Sequence, residues 1–88
     1  MKIRMFVLAR CPYCKKALAW MDELFGENPE YRALDIEIID ENLRPDISDN
    51  YDYELVPAYY IGEELIHSGA ASPEIIRDIF ERARKENE

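Results

Sequence analysis

Apolar and polar residues change their spacing several times along this chain, and each change marks an element. Residues 3–8, Ile-Arg-Met-Phe-Val-Leu, are mostly apolar with weak alternation, as in a central strand covered on both faces. From residue 11 to about Phe25 the period lengthens. Cys14, Ala17, Leu18, Met21, Leu24 and Phe25 recur at three- and four-residue steps and form one helical stripe. Lys15, Lys16, Asp22 and Glu23 lie mainly outside the stripe, and Trp20 is expected to be only partly buried. Gly26 is expected to stop this helix, and residues 26–29, Gly-Glu-Asn-Pro, to turn the chain. Residues 30–33 carry no regular pattern.

Residues 34–39 alternate apolar and acidic, which predicts a second strand with one wet side. Leu43, Ile47 and Tyr51 stand four apart and predict a short second helix that starts near Pro45. Residues 58–61 read as a third strand, Gly62-Glu63 as a turn and residues 64–67 as a fourth strand. That connection is too short for a crossover, so the last two strands form an antiparallel hairpin. Gly69 breaks the pattern. Ser72-Pro73-Glu74 then opens a final helix, with Ser as N-cap, Pro at the first position and Glu in the first turn. Its stripe is Ile75, Ile76, Ile79, Phe80 and Ala83. Arg82, Arg84 and Lys85 crowd its C-terminal end, where the helix dipole favours cations.

The predicted order is β-α-β-α-β-β-α, an α/β chain whose first two strands run parallel through a right-handed crossover. A length of 88 residues allows a single domain over 1–88, just large enough for one core without staples. The hydrophobic share of 48% and charged share of 34% are ordinary for a globular protein. No apolar run approaches the ~20 residues of a membrane span, and the opening residues read as a strand rather than an export signal. Nineteen acidic residues stand against 11 basic ones, for a net charge of −8. That balance argues against nucleic acid and against anionic membrane surfaces as partners.

The chemistry lies in Cys11-Pro12-Tyr13-Cys14, at the junction of the first strand and first helix. Both cysteines of the chain fall here, so no disulfide framework is left over. Without an export signal the expected location is the reducing cytoplasm, where Cys-x-x-Cys is more often catalytic or metal-binding than structural. Two sulfurs at a helix N-terminus meet unpaired N–H groups and the positive end of the dipole. The species favoured there is a thiolate, the nucleophile of thiol–disulfide exchange. Cys11 sits at the exposed start of the helix; Cys14 lies one turn in, on the apolar stripe, where burial raises a thiol pKa. Arg10, Lys15 and Lys16 either help to hold Cys11 ionised or are plain surface charges. Tyr13 either contacts substrate or covers the helix. A zinc site needs four ligands, and His67 is the only other soft donor, so no metal is expected without a dimer. Tyr51, Tyr53, Tyr59 and Tyr60 flank Pro57 and suit a core or half-buried surface, with a substrate-facing role open for Tyr51 or Tyr53.

This order of elements, with Cys-Pro-Tyr-Cys after strand one and Val56-Pro57 before strand three, resembles the thioredoxin fold over nearly the whole chain. Within that superfamily it looks most like the glutaredoxins. The resemblance implies a four-stranded mixed sheet of order 2-1-3-4 with helices on both faces. It implies Cys11 as nucleophile and Cys14 as resolving thiol. It also implies a cis Pro57 facing the dithiol, with the Val56 backbone free to pair with a bound thiol substrate. The lysine that glutaredoxins set before the motif is absent from Leu8-Ala9-Arg10, so only Arg10 is available for a glutathione carboxylate. Their Gly-Gly and acidic residues before the last helix are replaced by residues 67–72, His-Ser-Gly-Ala-Ala-Ser, and Ser72 stands where a ligand carboxylate would lie. The buried aspartate that thioredoxins carry in strand one falls at Met5.

The expected function is a dithiol oxidoreductase that reduces protein or small-molecule disulfides, with low glutathione specificity. A glutathione-dependent glutaredoxin, or a dimer bridging an iron–sulfur cluster or metal through Cys11 of each chain, are the alternatives. No tightly bound cofactor is expected. Glutathione or another low-molecular-weight thiol, or a reductase, would recycle the dithiol, and the protein is expected to act as a monomer.

Overall fold

β1 (Ile3–Val7) occupies the middle of the sheet because it is apolar on both faces. In the computed structural model, which describes residues 2–86, it is followed by α1 (Pro12–Glu27) and a 3-10 helix (Pro29–Ala33). Then come β2 (Ile36–Asp40), a one-turn α2 (Pro45–Ser48), β3 (Ala58–Ile61), β4 (Glu64–Ser68) and α3 (Pro73–Glu86). Of the single domain expected over 1–88, positions 1, 87 and 88 lie outside the described residues. The sheet order is β2-β1-β3-β4. β1 runs parallel to β2, with Met5 beside Ile38, and antiparallel to β3, with Met5 beside Tyr59. β3 and β4 form the hairpin, turned by Gly62 at φ 60° and irregular between Tyr59 and Tyr60. This is the thioredoxin-type α/β architecture implied by the resemblance.

Alternation in β1 divides the core in two. Ile3, Met5 and Val7 face α1 and α3, meeting Ala17, Met21 and Leu24 from one and Ile76, Ile79, Phe80 and Ala83 from the other. Phe80 is fully buried, stacked on Phe25 at 5.5 Å between ring centroids and edge-on to Tyr31 at 5.3 Å. On the opposite face Phe6 gathers Ile39, Ala58 and Tyr60, and α2 contributes only Ile47. Tyr51 and Tyr53 complete that side, each 4.9 Å from the Phe6 ring. No helix among the described residues is long and apolar enough to cross a membrane.

Three expectations need correction. α1 does not stop at Gly26 but runs through it to Glu27, and Asn28 N–H closes it on Leu24 C=O at 2.9 Å. A single helical glycine costs about 1 kcal/mol, less than is gained by burying Leu24 and Phe25. Pro29 ends the helix instead, because the residue before a proline avoids the helical region. Residues 29–33, which show no pattern in sequence, form a 3-10 turn that buries Tyr31 and joins its hydroxyl to the Glu81 carboxylate at 2.6 Å. In β2 the alternation fails at its C-terminal end: Ile36 packs on the core as expected, but Ile39, on the side expected to be wet, is 3% exposed and Ile38, on the side expected to be dry, 50%. β2 is an edge strand, so Ile38 projects beyond the cover of its helices, whereas Ile39 is closed over by Phe6 and its aromatic neighbours.

The N-terminal signal of the last helix holds. Ser72 Oγ accepts the Ile75 N–H at 3.2 Å. Ser72→Ala is expected to cost about 0.5–2 kcal/mol. For a domain of this size that lowers Tm by roughly 4–8 °C per kcal/mol, read by a thermal melt; an unchanged Tm would remove the cap from the stability of α3.

Candidate active site

β1 ends at Val7, and a tight turn carries the chain over the sheet edge into α1, with Cys11 N–H bonded to Leu8 C=O at 3.1 Å. Cys11 is the N-cap residue, in extended conformation (φ −81°, ψ 117°), and its own C=O takes the Lys15 N–H at 3.1 Å. Pro12 sits at the first helical position, where no N–H is needed. No acidic side chain lies in the first turn to neutralise the dipole. The positive helix end is therefore left to the Cys11 sulfur.

Both thiols are free, and they differ in setting. Cys11 is half-buried. Partial desolvation pushes its thiol pKa up, but the backbone N–H of Cys14, the Cys14 thiol and the backbone N–H of Tyr13 outweigh that, and the net shift is downward. The main stabilising groups are thus the helix end and the partner thiol, rather than the cations that flank the motif in sequence. Cys14 is 1% exposed. Burial pushes its pKa up from 9.0 to about 11; a hydrogen bond from the Leu8 backbone opposes this, while the Cys11 sulfur and the Glu41 carboxylate add to it. One thiol is poised to ionise and its neighbour is held protonated behind it.

The opposite wall is the segment before β3. The Val56–Pro57 peptide is cis, as the resemblance implies, and the Cys11 thiol points at Val56 C=O with Sγ 4.0 Å away. Pro57 is buried. Its C=O takes the Gly69 N–H at 3.0 Å. The Ser68 hydroxyl accepts the Leu55 N–H at 3.3 Å and donates to Leu55 C=O at 3.2 Å. β4 thereby fixes residues 55–57 against the dithiol. Gly69 is at φ 106°, where a side chain would be strained, and a Cβ there would crowd Leu55 Cδ1 at 3.3 Å.

Arg10 is exposed and lines a cleft with Cys11. Tyr13 is 55% exposed on α1. Ser72 is spent on capping α3 and lies outside the cleft that Cys11 lines. Tyr53 stacks on Phe6 and Tyr51 lies tilted against the same ring, on the face opposite α1 and α3. The Tyr53 hydroxyl donates to Glu41 at 2.5 Å, and burial together with that carboxylate holds the phenol protonated. His67 is satisfied at a strand end, its Nε2 2.9 Å from Ala70 C=O. Among the described residues no cluster of His, Cys, Asp and Glu is arranged to hold a metal.

Leu43 and Glu41 escape the sequence reading. Leu43 belongs to the helical spacing with Ile47 and Tyr51, yet it lies outside α2 and is 77% exposed. Pro45 at the first helical position is the signal that places it outside. A larger cleft, about 720 Å³, lies against Lys2, Arg4, Tyr51 and Glu63. Lys2 and Arg4 are already paired there with Glu37. Reactivity follows the thiols, not the size of the cleft.

The sequence matches the thioredoxin domain family over residues 1–81. Among solved structures it is similar to thioredoxin 1 of the thermophilic eubacterium Thermosipho africanus, at 26% identity and a TM-score of 0.65, with 100% of each chain covered. It also shares its fold with the oxidised thioredoxin of Plasmodium falciparum, at 14% identity and a TM-score of 0.70 over 92% of this chain and 78% of that one. No protein of curated function matches the sequence.

Proposed function

The chain belongs to the thioredoxin-domain family, and from that premise we propose a dithiol oxidoreductase that reduces protein or small-molecule disulfides with little preference for glutathione. The observation that carries the reading is the asymmetry of the thiols: Cys11 favoured as thiolate beside the Val56 carbonyl, Cys14 buried and protonated.

The Cys11 thiolate attacks one sulfur of the substrate disulfide. A new S–S bond forms to Cys11, the old one breaks, and the other substrate sulfur leaves as a thiolate that takes a proton. Cys11 has then lost its charge, and one of the influences holding Cys14 protonated is gone. Cys14 gives up its proton and attacks Cys11 Sγ, and the second substrate sulfur leaves as a thiolate and is protonated. The substrate has gained two electrons, and Cys11–Cys14 is a disulfide. An external thiol or a reductase supplies two electrons to restore it.

Weak glutathione preference is supported by the residues around the thiols. A carboxylate is best held by charge-assisted donors, and Ser72 is committed to its helix while Arg10 alone supplies charge immediately before the motif. The test is reduction of the insulin disulfides by the full chain, recycled by glutathione in one vessel and by a thioredoxin-reductase system or dithiothreitol in another. Activity is expected with the dithiol or reductase supply and to vanish in Cys11→Ser. Activity that survives Cys11→Ser would refute the assignment.

A further inference from the structure

The apolar surface around Cys11 points to what kind of disulfide fits. Among the described residues large apolar side chains are exposed at Tyr13, Ile38, Leu43, Leu55 and Leu65. Three of these stand on segments that meet at the thiol. Tyr13 is in the motif, Leu55 precedes the Val56 carbonyl that Cys11 faces, and Leu43 lines a cleft with Cys11. That cleft, about 470 Å³, runs between residues 8–11 and 40–43, with Leu8, Ala9, Leu43 and Cys11 in its walls. Its one carboxylate, Asp40, is engaged through Oδ1, which accepts the backbone N–H groups of Asn42 at 2.8 Å and Leu43 at 3.3 Å. Arg10 is left on the rim, exposed and without an ion pair among the described residues, and Lys15 and Lys16 stand exposed beyond it. This cationic edge belongs to a chain of net charge −8.

We propose that this cleft seats a large apolar side chain next to the reacting cysteine of a peptide or protein disulfide, with an acidic residue beyond it drawn to Arg10. The inference rests on the oxidoreductase reading above and follows the same exchange. Seating an apolar side chain removes Leu43 and Leu8 from water as the sulfurs approach, which favours the productive encounter. Arg10 adds attraction for an acidic neighbour in a chain that otherwise repels anions. Glutathione has glycine and a γ-linked glutamate beside its cysteine and offers nothing to fill the cleft, which accords with low glutathione preference.

The experiment is single-turnover oxidation of the reduced full chain by four symmetric peptide disulfides. Their cysteine is flanked by glycines, by leucines, by leucines with outer glutamates, or by leucines with outer lysines. Each rate is divided by that of dithiothreitol with the same peptide, which removes intrinsic reactivity. The leucine peptide is expected to react roughly tenfold to a hundredfold faster than the glycine peptide, the scale of discrimination of an apolar pocket. The glutamate form should exceed the lysine form at low salt, with the gap closing at high salt. Leu43→Ser, at a position too exposed to unfold the chain, should shrink the leucine-to-glycine ratio severalfold. Arg10→Gln should shrink the glutamate-to-lysine ratio, and Leu65→Thr, on β4, should leave both ratios intact. Equal rates for leucine and glycine peptides, or a Leu43→Ser variant that keeps the full ratio, would overturn the cleft while leaving the oxidoreductase reading in place. Failure to react with any of the peptides would instead sink that reading itself.

Discussion

Cys14→Ser is expected to turn the reaction cycle into a trap. Cys11 keeps its place at the helix end and its attack on a substrate disulfide, so the mixed disulfide still forms. The internal nucleophile that expels the substrate is gone. An attack from within one helical turn is replaced by a bimolecular attack from a dissolved thiol, and intramolecular reactions enjoy effective concentrations far above any such thiol. Turnover on protein disulfides should fall by at least about a hundredfold, and one substrate chain should be found bound through Cys11 by mass spectrometry under non-reducing conditions. The substitution is tolerable in the core, because the Leu8 backbone that hydrogen-bonds the Cys14 sulfur remains available to a hydroxyl oxygen. If Cys14→Ser instead keeps full activity on glutathionylated substrates, resolution proceeds through a second glutathione, and the proposed indifference to glutathione is wrong.

What could be read from sequence was whatever a local signal bounds. Ser72-Pro73-Glu74 carries its own cap, and Ser72 Oγ does bond the Ile75 N–H. The hairpin follows from the two residues between its strands, and the site from two cysteines placed where a strand becomes a helix. Where the reading failed, either a nearby proline outweighed the spacing or the outcome depended on a neighbour distant in sequence. Ile38 and Ile39 are equally apolar, and only the placing of β2 at the sheet edge exposes one and buries the other. Leu43 fits a helical spacing, but Pro45 starts the helix too late to include it, and it lines the same cleft as Cys11. The pairing of Glu41 with Tyr53 joins the end of β2 to the loop before β3 and has no signature in either stretch. The cis Val56–Pro57 peptide came from the resemblance alone, since nothing in its neighbours distinguishes it from a trans bond.

The two thiols should be separable by pH. Alkylation requires the thiolate. Cys14, with its pKa pushed up to about 11, would have only about one molecule in ten thousand ionised at pH 7, and at 1% exposure it also hides from the reagent. Cys11, with its pKa lowered and its sulfur at the open end of α1, is ionised to a larger fraction than an ordinary thiol. Iodoacetamide at neutral pH should therefore label Cys11 almost exclusively, as read by peptide mass spectrometry. The sign follows from the directions of shift. Labelling of Cys11 should reach its plateau below the pH of a free thiol, and labelling of Cys14 should begin only as pH climbs from 9.0 toward about 11. The Cys14 thiol is also one of the groups that hold Cys11 ionised. Cys14→Ala should consequently move the Cys11 titration to higher pH, and Cys14→Ser should move it less, because a hydroxyl can still donate to the sulfur. Preferential labelling of Cys14 at neutral pH would reverse the roles of the two residues. A Cys11 titration unmoved by Cys14→Ala would leave the backbone N–H groups of the first turn as its sole support.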